Sequence, residues 1–201
     1  YFTRSLVYIM MNTRKDIHGF KEVVRGRPSV VIANHNSFID ILAMLMVAPR
    51  MLMMTNRWVW NSPFFGAVVR YTGFIRSEDD VDVNVERLRD PVARGWSVVI
   101  FPEGTRSRTG RIGRFHKGPF YLAEKLDLPV VPVVLHGFGY AMGKHDALLK
   151  DAHLSMRTLP PIAPDDERFG RGYRERTKRV SAYFRETYRE VRDAIETPAY
   201  F

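Results

Sequence analysis

A chain of 201 residues is long enough for one globular domain with a sizeable core, and 45% apolar with 26% charged residues is ordinary folded usage, which excludes extensive disorder. It contains no cysteine, so disulfides, thiolate catalysis and Cys-ligated zinc are excluded. Lys and Arg number 31 against 22 Asp and Glu, and the resulting formal charge of +9 favours an anionic partner: nucleic acid, anionic lipid or a phosphorylated substrate.

Candidate elements alternate between helix and strand, which predicts an α/β class and one domain over residues 1–201. Residues 3–14 read as a short, partly amphipathic helix. Val30 to Ala33 is β-branched, apolar and preceded by Pro28, the pattern of a buried strand. Residues 37–48 read as a helix that opens at Ser37 with Asp40 three residues on, a start resembling a capping box. Residues 50–55 read as a strand, 63–71 as a helix opening on proline, and 73–76 as a short extended piece. A mostly polar helix is expected over 81–94 and a second buried strand over 98–101. A glycine-rich basic loop follows, then a helix over about 118–126 and an apolar strand over 129–135. Residues 137–151 read as a loop and 152–159 as an edge strand. Val180, Phe184, Val191 and Ile195 share one face of a helix over about 172–196. The longest unbroken apolar run, residues 41–48, is far short of the roughly 18 residues of a membrane span. The first residue is Tyr1 rather than Met, as in a processed chain or a domain excised from a larger membrane protein.

Two segments carry chemistry. The first places His35 directly after a buried strand and Asp40 five residues on. Within one regular helix that spacing would leave the side chains about 140° apart. With His35 in a turn and Asp40 in the first helical turn, the imidazole can fold back onto the carboxylate. Imidazole ordinarily titrates near 6.5 and can accept a proton near neutrality. A carboxylate on its other nitrogen fixes the tautomer and stabilises the imidazolium. No cysteine and no G-x-S-x-G elbow supply a protein nucleophile, so such a base would act on a substrate hydroxyl. A structural histidine beside a helix-cap carboxylate fits the segment equally well. No H-E-x-x-H or similar metal spacing occurs, so no metal site is expected.

The second segment runs from Phe101 to Lys117. From Gly104 onward it has no acidic residue and carries Arg106, Arg108, Arg111, Arg114 and Lys117. Glycines 104, 110 and 113 let backbone N–H groups converge on an anion, and arginines meet phosphate oxygens bidentately. Glu103 repels phosphate, and is suited to orient Arg106 or to accept from a glycerol hydroxyl. A basic loop for RNA is the alternative. Only Phe115 offers a stacking platform, and no nucleic-acid-binding signature is present, so no nucleic-acid partner is expected.

Together the segments resemble the glycerolipid acyltransferase family of the lysophosphatidic-acid acyltransferase type. His35 and Asp40 match its H-x4-D motif, and Phe101 to Ser107 match the F-P-E-G-T-R-S block at every position. Gly73-Phe74-Ile75-Arg76 resembles the second block in compressed form, and Val131-Pro132-Val133 the last. The resemblance covers about residues 28–137. It implies a glycerol-phosphate-acyltransferase-like fold, a mixed central sheet flanked by helices. It implies His35 as base, Asp40 as its support, and Arg76, Glu103, Gly104, Thr105 and Arg106 as the acceptor site. Asn34, Ser107 and Lys117 become candidate phosphate or donor contacts. The implied partners are a lysophospholipid acceptor and an acyl-CoA or acyl carrier protein thioester, with no cofactor besides. The implied place is the cytoplasmic membrane face, peripherally bound through residues 1–15 or the aromatic-basic stretch of Trp58, Trp60, Phe64 and Phe65 beside Arg50, Arg57 and Arg70. Other readings remain: a different hydroxylated acceptor such as a lyso-aminolipid, a thioesterase-like hydrolase, or a nucleic-acid-binding module. Met44, Met46, Met51, Met53 and Met54 suit core filling better than an acyl tunnel. Of the other histidines, His116 borders the basic loop, while His18, His136, His145 and His153 suit surface or packing roles.

Overall fold

The computed structural model describes residues 15–19, 27–47, 50–55, 57–61, 69, 74–77, 80–107, 109–143, 146, 148 and 150–196. The expected helices over 3–14 and most of 63–71, and the side chains of Trp58, Phe64 and Phe65, lie outside these residues.

Seven strands form one sheet: β1 (Lys15–His18), β2 (Val30–Ala33), β3 (Met51–Thr55), β4 (Ile75–Arg76), β5 (Ser97–Ile100), β6 (Val130–His136) and β7 (Leu154–Thr158). Their order is β1-β7-β6-β2-β5-β3-β4. The run from β6 to β4 is parallel, whereas β7 is antiparallel to β6 and carries β1 parallel to itself. The sheet is therefore mixed, and β2 lies at its centre. Among the described residues the helices are α1 (Ile39–Val47), α2 (Arg57–Trp60), α3 (Val81–Ala93), α4 (Gly118–Lys125), α5 (Phe138–Ala141) and α6 (Tyr173–Ile195).

Both faces of the central strands are covered, which is why their sequences are continuously apolar rather than alternating. The period of two still sorts each strand between the faces. Val31 and Ala33 point with Val99 and Val133 towards Ile39, Ala43 and Met44 of α1 and Phe138 of α5. Val30 and Ile32 point the other way, towards Phe120 of α4 and Val180, Phe184 and Val191 of α6. Leu52, Met54 and Val98 meet Val85 and Leu88 of α3.

Two expectations need correction. Residues 152–159 do form a strand, β7, but it is not an edge strand because β1 pairs along its outer side. β1 escapes sequence reading because Lys-Asp-Ile-His has one apolar residue. Residues 137–151 also contain α5, which is too short to show helical periodicity.

His136 ends β6 and is 1% exposed. Its Nε2 lies 3.4 Å from Glu196 Oε1, and the rings of Tyr140 and Tyr188 meet it edge-on. Burial pushes its pKa below 6.5, against the opposing pull of Glu196, while His153 and Arg192 add to the fall. The unfolded chain then binds a proton that the folded chain refuses, so stability falls as pH drops below about 6.5. Urea midpoints at pH 7.5 and 5.5 should differ less in His136→Phe than in the parent. An equal pH difference in both chains would contradict this.

Candidate active site

His35 lies in the turn between β2 and α1, and Asp40 lies in the first turn of α1. Their side chains meet at 3.0 Å, His35 Nδ1 to Asp40 Oδ2. The same oxygen accepts from the backbone N–H groups of Asn36 and Ser37, each at 2.7 Å. Asp40 thus supplies the carboxylate half of the capping box and the imidazole partner with one atom. The carboxylate is fully buried, and Oδ1 has no hydrogen-bond partner among the described residues. The Ser37 hydroxyl donates to the Met142 carbonyl, which ties this turn to the chain beyond α5. Phe101 stacks on the imidazole at 4.1 Å between ring centroids, 16° from parallel. The ring is held on one edge by a carboxylate and on one face by an aromatic. The Nδ1 edge of the ring is thus occupied, and His35 lines an adjoining cavity.

The basic loop is clamped to the same turn. Ser107 N–H donates to the His35 carbonyl at 2.7 Å. Glu103 Oε1 accepts from His35 N–H at 2.9 Å, and Oε2 accepts from Gly113 N–H at 2.7 Å. Glu103 is therefore a buried brace joining two loops, and both its oxygens are engaged by backbone N–H groups rather than by Arg106. Burial raises its pKa above 4.5, opposed by the two backbone hydrogen bonds. A Cβ on residue 113 would stand 2.8 Å from Oε2, so glycine is what allows the close approach. In Glu103→Gln one of those oxygens becomes an NH2 facing an N–H. The expected cost is about 1–3 kcal/mol of stability, the penalty for an unsatisfied buried donor. A denaturation midpoint equal to the parent's would show that the brace carries no such strain.

One cavity adjoins the imidazole, and a second lies beside it, the two sharing His116. The first, of about 270 Å³, is lined mainly by apolar groups, Phe101, Met53, Met54, Ile41, Phe74 and Leu122 among them, and its wall also includes His35 and His116. Met44, Met51, Met53 and Met54 are all core residues, and Met53 and Met54 also border this cavity. The other, of about 620 Å³, is a basic cleft formed by the loop itself, with Thr105, Arg106, Ser107, Arg111, Arg114 and His116. His116 lines both. Gly104 has φ +70, and a Cβ there would sit 3.4 Å from the His116 ring.

Other sequence candidates fall elsewhere. Asn34 is fully buried, and its amide both donates to the Leu135 carbonyl and accepts from Leu135 N–H, each at 2.8 Å. It locks β2 to β6 and has no free edge for a phosphate. Lys117 is exposed and caps α4 through its carbonyl, which accepts from Phe120 and Tyr121 N–H. Arg76 ends β4 at the far edge of the sheet, two strands removed from β5, and is not among the cleft-lining side chains. Among the described residues no group of three or more His, Asp or Glu side chains is placed to hold a metal ion. No helix among them is long and apolar enough to cross a membrane.

A sequence profile of the acyltransferase family matches residues 14–136, which contain the His35–Asp40 pair, the Glu103 brace, the basic cleft and most of the parallel sheet. The chain belongs to the acyltransferase family. Among its relatives, a chloroplastic 1-acyl-sn-glycerol-3-phosphate acyltransferase of Brassica napus is 34% identical over 64% of this chain and 39% of that protein. The human 1-acyl-sn-glycerol-3-phosphate acyltransferase alpha is 28% identical over 81% of this chain and 64% of that protein. The chain thus spans less than two thirds of the length of these curated relatives. The crystal structure of the 1-acyl-sn-glycerophosphate acyltransferase PlsC from Thermotoga maritima superposes with a TM-score of 0.76 at 21% identity, covering 94% of this chain and 76% of that one. That likeness gives this member of the acyltransferase family the same α/β fold.

Proposed function

We propose that the chain is an O-acyltransferase that moves a fatty acyl group from a thioester, acyl-CoA or acyl carrier protein, to the free hydroxyl of a lysophospholipid such as 1-acylglycerol-3-phosphate. The observation that carries this reading is the position of the His35–Asp40 pair beside an apolar cavity that shares His116 with an arginine-lined cleft. An acyl chain suits the first and a phosphate the second, and the base stands where the two substrates would meet.

In this mechanism His35 Nε2 takes the proton from the acceptor hydroxyl as its oxygen attacks the thioester carbonyl. Asp40 holds Nδ1–H and stabilises the imidazolium. The tetrahedral adduct collapses, the C–S bond breaks, and the thiolate leaves with the proton that His35 returns. One ester and one thiol are formed, and the protein needs no nucleophile of its own. The chemistry calls for no metal and no cofactor besides the thioester. Arg106, with Arg111 and Arg114, would hold the acceptor phosphate through charge-assisted hydrogen bonds. The excess of positive charge suits a peripheral seat on the anionic cytoplasmic face of a membrane, where such an acceptor resides. The test is lipid mass spectrometry of the purified chain with a panel of thioesters and lysolipids. Diacyl product from a phosphate-bearing acceptor is expected. Free fatty acid as the only product, with or without acceptor, would overturn the reading.

A further inference from the structure

The basic loop is built from residues that resist a fixed shape. Gly110 sits at its tip with φ +71, and Arg106, Arg111 and Arg114 repel one another. A loop that must be ordered when its ligand arrives binds more weakly than one already in place. The start of this loop is held by the catalytic turn, through Ser107 N–H to the His35 carbonyl and through the Glu103 brace. The tip at Gly110 and Arg111 needs a separate anchor.

That anchor is α6, which lies wholly beyond residue 136, where the family match ends. Arg185 and Tyr188 stand at i and i+3 on one face of the helix. They meet two loop carbonyls with the same separation in sequence. The Arg185 guanidinium donates to the Gly113 carbonyl at 2.8 Å, and the Tyr188 hydroxyl donates to the Gly110 carbonyl at 3.2 Å. The Asn36 side-chain amide is hydrogen-bonded to the same hydroxyl. The backbone N–H of Asn36 is one of the donors on Asp40 Oδ2. One phenol oxygen therefore ties the loop tip to the turn that carries the base. The Tyr188 ring is buried, edge-on to His136 at 5.8 Å. Burial pushes its pKa up to about 12, so the hydroxyl stays a protonated donor at any working pH.

We infer that Tyr188 is a positioning residue for the acceptor: its hydroxyl, with Arg185 beside it, fixes the tip of the basic loop against the catalytic turn and so presets Arg111 for the acceptor phosphate. The inference rests on the acyl-transfer reading above, which seats that phosphate on Arg106, Arg111 and Arg114. Tyr188 acts through the Gly110 backbone and not by touching substrate. Its effect is therefore on acceptor affinity, while the His35–Asp40 contact and the apolar cavity, to which it contributes no group, are left as they are.

The test compares the parent with Tyr188→Phe, which keeps the buried ring and removes the hydroxyl alone, and with Arg185→Met, which removes the donor to Gly113 from an exposed position. Thermal midpoints check folding. Binding of a short-chain 1-acylglycerol-3-phosphate is titrated calorimetrically without thioester, transfer kinetics are run with both substrates varied, and amide hydrogen exchange is followed over residues 109–114. Tyr188→Phe is expected to weaken acceptor binding and raise acceptor KM about three- to tenfold, the effect of one lost hydrogen bond. Its kcat and thioester KM should stay as in the parent, and the loop amides should exchange faster. Arg185→Met should act in the same direction and less strongly. A folded Tyr188→Phe with unchanged acceptor affinity would overturn the proposal, whatever its thermal midpoint, because the hydroxyl would then serve stability alone. A fall in kcat with acceptor KM unchanged, or an equal rise in both KM values, would overturn it as well. Weakened acceptor binding in the variant, with a parent that transfers no acyl group, would leave the role of Tyr188 standing and remove the acyl-transfer reading.

Discussion

His35→Ala is expected to lower acyl transfer by about 10²–10⁴-fold, the range that a positioned general base contributes. The change should leave the fold intact. His35 is only partly buried, and the bonds that hold its turn run through its backbone, with N–H to Glu103 and carbonyl to Ser107 N–H. The imidazole itself makes the Asp40 contact and the stack on Phe101. Loss of the ring therefore removes the proton acceptor and opens space beside Phe101, without freeing either loop. The loss should appear in kcat with thioester KM little altered, because the proposed function seats the acyl chain against Met53, Met54 and Leu122, which the change leaves in place. Equal activity in folded His35→Ala would show that the acceptor hydroxyl is activated by another group.

Asp40→Asn should cost less, about 10–100-fold in kcat, and the geometry says why. In serine hydrolases the corresponding change costs about 10⁴-fold because the imidazole adopts the wrong tautomer. Here three donors converge on Asp40 Oδ2, while Oδ1 has no partner among the described residues. An asparagine can keep its carbonyl oxygen on the three donors and place its NH2 at the Oδ1 position. Reversing it would set the NH2 against two backbone N–H groups. The tautomer is thus preserved, and what is lost is the charge that stabilises the imidazolium. A charge-assisted hydrogen bond is worth about 1.5–3 kcal/mol, and each 1.4 kcal/mol is tenfold in rate. Steady-state kinetics of the folded variant check this. A loss near 10⁴-fold would mean that the amide turns over and the tautomer switches.

Much of this architecture is legible in the chain because its signals are local. Val30 to Ala33 and Val130 to Leu135 are apolar runs whose burial on both faces follows from composition. The long helix α6 shows its buried face through Val180, Phe184 and Val191 at helical spacing. The His35–Asp40 contact spans five residues, so spacing alone restricts its geometry. What is hidden depends on distant partners. Asn34 resembles a site residue until Leu135, 101 positions on, is seen to take both ends of its amide. Glu103 sits amid arginines, yet the backbones of His35 and Gly113 claim it. β1 is hidden for a different reason, since an edge strand exposed to water needs little apolar patterning.

The central claim is that His35 activates the hydroxyl of an acceptor, not water. The most direct measurement counts thiol released from the acyl thioester against ester formed, with and without 1-acylglycerol-3-phosphate, in the parent and in His35→Ala. The account predicts one ester per thiol in the parent, little thiol release without acceptor, and loss of both products in the variant. Thiol release at the same rate whether or not the acceptor is present, with no ester formed, would contradict it.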